Sequence, residues 1–347
     1  MMLERRQQVP VWLALLAPFS AITFALVLCI PLIAWGETPV LQSYGMMMQG
    51  AIGSRFALSE TLSRATPLMY TGLAVAVAFQ TKLWNIGAEG QFYLGAIAAT
   101  LVGTGWLPLP GWLLIPIVLL AGGMAGGLLL LLSAWLKIRI QVDEVVTTLL
   151  LNFIVLLLVS YLVEGSLKDP SALGWPQALP IIEAATLPKL LGRMHWGLPI
   201  AILCAIGVWV LNRQLILGYR MRAIGLNLQA SRFAGIPVNG VIWLTALLSG
   251  GLAGMGGVSE VAGLKGYLSL DLSPGFGYTG IIVAMLAQLH PIGVVFAAVF
   301  VAAIYVGADA MSRAANLPTY LADVIVSMSL LCMLISILFT QYRWRWR

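Results

Sequence analysis

The polar residues able to act within this chain are few, and they sit among apolar ones. Leu83–Gln91 reads LWNIGAEGQ: Asn85, Glu89 and Gln91 interrupt two apolar runs, with Gly87 and Gly90 between them. A carboxylate at membrane depth costs roughly 2.5–3.5 kcal/mol, and it persists where it faces a cavity, a partner or a loop. Glycines allow close backbone approach, and a helix start offers free amide donors. Two readings fit: a broken helix beside a solute path, or a cytoplasmic turn with Glu89 favourably placed at a helix N-terminus. Glu144, Thr148 and Asn152 follow at i, i+4 and i+8, so a helix sets them on one stripe. That stripe either faces a pore or hydrogen-bonds a neighbouring helix. Asp323, four residues after Thr319, is an intramembrane acid near the outer end of its run. Such acids are functional candidates, although a position near the interface is also an ordinary one for a carboxylate. The sequence holds no G-x-x-x-x-G-K-[ST] loop, no Ser–His–Asp set and no paired carboxylates, and His195 and His290 lack metal-ligand spacing. It therefore offers no catalytic residue and no metal site, and any ATP hydrolysis belongs to another subunit.

The elements that hold these residues follow from composition. Of the 347 residues, 60% are hydrophobic and 9% charged, and most charges fall between the apolar runs. Only helices or closed barrels cross lipid. Runs of about 17–25 residues without strand-like alternation select helices and argue against an outer-membrane barrel. The fold class expected is an all-α polytopic membrane protein with about ten transmembrane helices, at 11–34, 60–80, 88–106, 112–136, 145–163, 196–212, 238–260, 277–290, 291–308 and 319–340. With the N-terminus inside, 12 Lys and Arg lie on the cytoplasmic side and 7 outside, out of 19. That bias places both termini in the cytoplasm. The net charge of +6 then belongs to cytoplasmic loops, not to nucleic-acid binding. Cys29, Cys204 and Cys332 lie inside apolar runs and read as small core hydrophobes.

The chain reads as one transmembrane domain, residues 1–347, with two long connections. Segment 164–195 carries four prolines and reads as an ordered extracytoplasmic cap or a loose linker. Segment 213–237 is basic and cytoplasmic. In it Gly225 and Asn227 read as a turn and an N-cap, with a helix of one to two turns carrying Arg232 and ending at Gly235. Such a helix either docks into a cleft on a soluble partner or lies on the surface as a connector. Gly72–Gly95 and Gly251–Gly280 read alike, as a span, a Gly-containing break and a second apolar run in opposite sense. Inverted halves with broken helices mark transporters, and glycine-rich coincidence is the other account. The GxxxG spacings of Gly122, Gly126, Gly250 and Gly254 are explained by helix packing alone.

With these residues in place, the chain resembles the permease subunits of bacterial ABC importers for nucleosides and simple sugars, in the group that also serves ribose and branched-chain amino acids. The likeness covers about residues 60–335. It is carried by Gly72–Ala76 running into Leu83–Gln91, and by Lys137 with Asp143–Asn152. It continues in Arg222–Asn227 with Ala230 and Ala234–Ile236, and in Pro274–Tyr278 with His290–Gly293. Leu228 departs from the proline that relatives often carry there. The resemblance implies a bacterial inner-membrane importer with a cytoplasmic ABC ATPase, a second and non-identical permease chain, and an extracytoplasmic substrate-binding protein. ATP and Mg belong to the ATPase, and this chain needs no cofactor of its own. Arg222, Ala223, Gly225, Asn227, Ala230, Arg232 and Gly235 are then expected to couple to the ATPase. Phe276 and Tyr278 join Asn85, Glu89, Gln91, Glu144, Thr148, Asn152 and Asp323 as candidates along the solute path. Aromatics there either stack on a base or sugar ring or pack against lipid. A flavin or a branched-chain amino acid is an alternative cargo. An ion-coupled secondary transporter is a rival reading, disfavoured by the scarcity of intramembrane acids.

Overall fold

In the computed structural model, residues 2–5, 10–35, 39–315 and 318–345 are described. Arg6, Glu37 and Arg347, which enter the charge reading, lie outside them. The described residues are overwhelmingly helical, as hydropathy requires. They divide into two compact units, Met1–Thr61 with Val299–Arg347, and Leu62–Ala298.

The first unit begins with β1 (Met2–Arg5), α1 (Val11–Trp35) and α2 (Val40–Ile52). Helix α3 (Arg55–Gln80) starts here and passes into the second unit. Hydropathy assigns no span to α2, because 13 residues with Gln, Ser, Tyr and Gly among them do not form a spanning run. The unit closes with α12 (Pro291–Ala314, from Val299), α13 (Thr319–Gln341) and β4 (Tyr342–Arg345). Helix α1 packs on α13, with Phe19 and Phe300 edge to face at 5.2 Å. Antiparallel pairing of β1 with β4, Met2 opposite Arg345, sets the two chain ends side by side.

The second unit contains α4 (Ala88–Gly103), α5 (Gly111–Ile140), α6 (Glu144–Glu164), α7 (Gly197–Gln214), α8 (Ile216–Leu226), α9 (Leu228–Phe233), α10 (Val238–Glu260) and α11 (Phe276–Leu286). Two short strands, β2 (Lys189–Leu191) and β3 (Met194–His195), form a hairpin before α7. Helices α4, α5 and α10 make the centre. They meet where side chains are missing: a Cβ on Gly126 would lie 2.3 Å from the Gly250 carbonyl, and one on Gly95 2.2 Å from that of Gly254. In lipid, where apolar burial gives no drive, such close backbone packing holds helices together.

Seven described helices are long and apolar enough to cross a bilayer: α3, α5, α6, α7, α10 with its π-helical extension to Lys265, α12 and α13. The expected span at 277–290 is corrected. Its helix, α11, has 11 residues and is about 16 Å long, half of the ~30 Å hydrocarbon layer. The apolar run is continuous, but left-handed backbone at Gln288 and Leu289 stops the helix early. Helix α4 is also short, at 16 residues. Segment 164–195 is ordered, not a loose linker. Its backbone donates from Ala178 to Leu268 (2.9 Å), from Ile181 to Gly266 (2.9 Å) and from Leu187 to Ala262 (2.7 Å).

Candidate functional site

The two glycine-containing breaks meet inside the second unit. Helix α4 starts after Gly87 and α11 after Gly275, and neither glycine supplies a capping side chain. A helix start leaves amide donors without partners, and here side chains from elsewhere accept from them. Asn152, on α6, accepts from the Gly90 amide at 2.8 Å and donates to the Ile86 carbonyl (3.0 Å) and to the Tyr278 hydroxyl (3.2 Å). Glu89, in the first turn of α4, accepts from the Gly277 amide in the first turn of α11, at 2.6 Å. Each half-helix is therefore capped in part by another segment, and Ser273, just before α11, also accepts from the Phe276 amide at 2.8 Å. Only glycine fits at the crossing, since a Cβ on Gly277 would lie 2.2 Å from the Glu89 nitrogen.

A second layer holds the non-helical approach to α4. Asn85 and Gln91 exchange amide bonds of 2.9 and 2.8 Å, and Asn85 also donates to Ser249 on α10 (3.0 Å). Ser249 in turn donates to the Ala74 carbonyl at 2.7 Å. Thr71 on α3 donates to the Phe276 carbonyl at 2.9 Å. Thr71 lies nine residues before the end of α3, which puts this junction about 13 Å inside that helix end. The polar cluster therefore sits well within the span, where every unpaired group would be costly. Asn85, Glu89, Gln91, Thr148 and Asn152 are all buried. Phe276 is buried against Phe92, with ring centroids 5.9 Å apart, and Tyr278 is partly exposed.

Glu144 lies at one edge of this cluster. It pairs with Lys137 of α5, which also donates to the Lys82 carbonyl at 3.3 Å. Thr148 bonds back to the Glu144 carbonyl (2.7 Å) and packs beside Gly87. The α6 stripe thus touches the turn before α4 along its length. Asp323 is exposed on α13, in the other unit. Two residues of the junction escape a reading of the sequence, Thr71 and Ser249; Tyr93 is legible there only as an aromatic near the motif. Tyr93 donates to the Leu270 carbonyl (2.5 Å) and accepts from the Ser273 amide (3.1 Å), bracing the approach to α11. The available signal is a hydroxyl inside an otherwise apolar run.

On the 213–237 segment, Asn227 caps α9 by accepting from the Ala230 amide at 3.0 Å, with Leu228 following it. The six-residue helix carries Arg232 and is followed by left-handed Gly235. The turn expected at Gly225 is corrected. Gly225 lies within α8, where a Cβ would meet the Gln80 carbonyl at 2.0 Å, so glycine lets α8 pack directly on the end of α3. Ala223 and Arg222 sit on the same helix, and Ala230 and Arg232 are exposed on α9. Phe233 is 99% exposed.

Residues 57–334 match the family model for the branched-chain amino acid transport system / permease component. The glucose ABC transporter permease protein TsgB13 of Haloferax volcanii is 34% identical over 354 residues, covering 98% of this chain and 92% of that one. The guanosine ABC transporter permease protein NupP of Bacillus subtilis is 33% identical, covering 91% and 92%. The nucleoside ABC transporter permease protein NupB of Lactococcus lactis is 29% identical, covering 86% and 85%. Broken helices meeting in a buried polar junction, in a chain of spanning helices, accord with this match. The chain belongs to the branched-chain amino acid transport system / permease component family and is a multi-pass inner-membrane permease component of an ABC transporter.

Proposed function

We propose that this permease passes a nucleoside or a simple sugar inward by alternating access, driven by a separate cytoplasmic ABC ATPase and supplied by an extracytoplasmic binding protein. A second, non-identical permease chain completes the path. ATP and Mg are held by the ATPase, and this chain acts without a cofactor or a covalent step. The observation that carries the reading is the Glu89–Gly277 bond, which joins the starts of two half-helices within the span. Half-helix termini near mid-membrane are where transporters place their solute sites. Asn85, Gln91, Thr148 and Asn152 hold the same junction, Glu144 its edge, and Phe276 and Tyr278 bring aromatic rings to it. The cargo class is supported by relatives named for guanosine, nucleosides and glucose.

The chain works as one permease domain, with 164–195 facing outward and 213–237 facing the cytoplasm. This orientation rests on the basic-residue bias, and the pairing of β1 with β4 supports placing both termini on one side. Helix α9 then couples to the ATPase. Arg222, Ala223 and Gly225 seat α8 behind it, Asn227 starts it, Ala230 and Arg232 lie on it, and Gly235 ends it.

The test is uptake of labelled guanosine and glucose into proteoliposomes containing the permease pair, the ATPase and the binding protein. ATP-dependent uptake is expected. Asn227→Leu with Arg232→Gln, both exposed positions, is expected to keep assembly but separate ATP hydrolysis from uptake. Uptake by the permease chain alone, or normal coupling in that double variant, would overturn the reading.

A further inference from the structure

Helix α9 faces the Lys137–Glu144 pair across a cleft of about 400 Å3, bordered also by the start of α10. Lys137, Asp143 and Glu144 stand on one side of it, Leu228 and Arg232 on the other. Arg232 is exposed, and its guanidinium has no hydrogen bond or ion pair among the described residues. Glu144 is buried, and what it accepts falls on Oε1: the Lys137 ammonium and, at 3.5 Å, the Trp84 amide. Its Oε2 has no partner among the described residues. Asp143 is already engaged as the cap of α6, accepting from the Val145 amide at 2.7 Å and the Val146 amide at 3.2 Å. A carboxylate with one oxygen to spare therefore shares a cleft with an unpaired guanidinium, a match that forms strong bidentate bonds.

The Lys137–Glu144 pair holds the turn that precedes the broken helix. Lys137 donates to the Lys82 carbonyl at 3.3 Å, and the Trp84 amide reaches Glu144. Lys82 has left-handed backbone, with φ of 54°, so this turn is kept in a conformation that its own residue disfavours. Asn85, the first member of the junction, follows directly. Further along α6, Thr148 packs on Gly87 and Asn152 accepts from the Gly90 amide. We propose that Glu144 is the positioning residue that carries movement of α9 to the half-helix junction. As the cleft closes, Arg232 pairs with Glu144 and draws it from Lys137, which frees the Lys82–Trp84 turn. The carboxylate keeps a cation in both arrangements, so the exchange never strands a buried charge. Two discrete packings of that kind are what a switch needs. The inference rests on the coupling role proposed for α9 and adds the route from it to the solute path.

The test is the ATP hydrolysed per solute imported by the complete transporter in proteoliposomes. Glu144→Gln leaves the α6 cap and the Thr148 backbone bond in place, and should raise that ratio about tenfold, a coupling effect of ordinary size. Lys137→Arg should keep the wild-type ratio, as should Arg139→Gln, which removes an exposed cation outside the cleft. Lys137→Glu with Glu144→Lys restores an ion pair but turns a cation towards Arg232 and the Trp84 amide, so it should remain uncoupled. A merely structural pair would instead be rescued by that swap. Cleft movement is read without any cargo: Gln141→Cys with Leu228→Cys, on opposite sides, should react with a short thiol cross-linker at different rates with and without ATP. Normal coupling in Glu144→Gln, rescue by the swap, or equal cross-linking rates would overturn the proposal. Uncoupling by Asn227→Leu with Arg232→Gln alongside normal coupling in Glu144→Gln would remove this relay and leave the docking of α9 standing.

Discussion

Glu89 is the residue on which capping and transport can be separated. Its carboxylate accepts from the Gly277 amide at 2.6 Å in a buried setting. Removing it in Glu89→Ala costs one hydrogen bond to a charged group, about 1.5–3 kcal/mol. The α11 N-terminus also loses its anion, worth roughly 0.3–1 kcal/mol. The sum is about 3 kcal/mol. Glu89→Gln keeps an acceptor of the same shape and loses only the charge, so its cost is about 1 kcal/mol. For a chain of this size each kcal/mol moves the melting midpoint by roughly 2 °C. The alanine variant should therefore melt about 6 °C below wild type and the glutamine variant about 2 °C below. The assay is thermal unfolding of the full-length chain in detergent, followed by size-exclusion recovery. Uptake is measured in parallel in the assembled transporter. The reasoning requires alanine to be clearly worse than glutamine. If both variants melt like wild type while uptake falls, Glu89 touches cargo and does not hold α11. If both melt equally low, the charge itself is what matters, and the capping account fails.

Two further predictions concern stability. Burial pushes His195 down to about 4, and its Nε2 has no partner among the described residues. Because the folded value lies below the unfolded one, the unfolded chain takes up the proton first as pH falls. Stability is then complete above about pH 6.5 and declines towards pH 4, by about 3 kcal/mol; melts from about pH 7.5 to about 4.5 should fall more steeply for wild type than for His195→Asn, and equal slopes would refute this. The Lys137–Glu144 pair joins the end of α5 to the start of α6, with Glu144 the more buried partner. Stranding that carboxylate should cost about 1–3 kcal/mol in Lys137→Met, and adding Glu144→Gln should restore part of it; a double variant worse than both singles would contradict the pairing.

Hydropathy locates the spans because lipid leaves a chain few alternatives. The α9 start is legible for a local reason, since Asn227 and the amide it accepts from lie within three residues of each other. The break at Leu83–Gln91 is legible as polar residues in apolar company, but its partner is not. Glu89 and Gly277 are separated by 188 positions, and a single sequence carries no sign of that pairing. The length of α11 is hidden for a different reason: left-handed backbone at Gln288 and Leu289 ends the helix, and neither residue type announces it. Gly225 misleads because glycine serves both turns and tight crossings. The carbonyl it makes room for belongs to Gln80, on another helix.

The mutual capping at the junction also bears on what the membrane will let through. Any rotation that parts α11 from α4 strips Glu89 of the Gly277 amide while the carboxylate is still buried. On the proposed reading, a solute rich in hydroxyl or amino hydrogens would take over that donor's place as the seal opens, and one without such hydrogens would not. Discrimination would then reside in the act of unlatching, with no preformed cavity required.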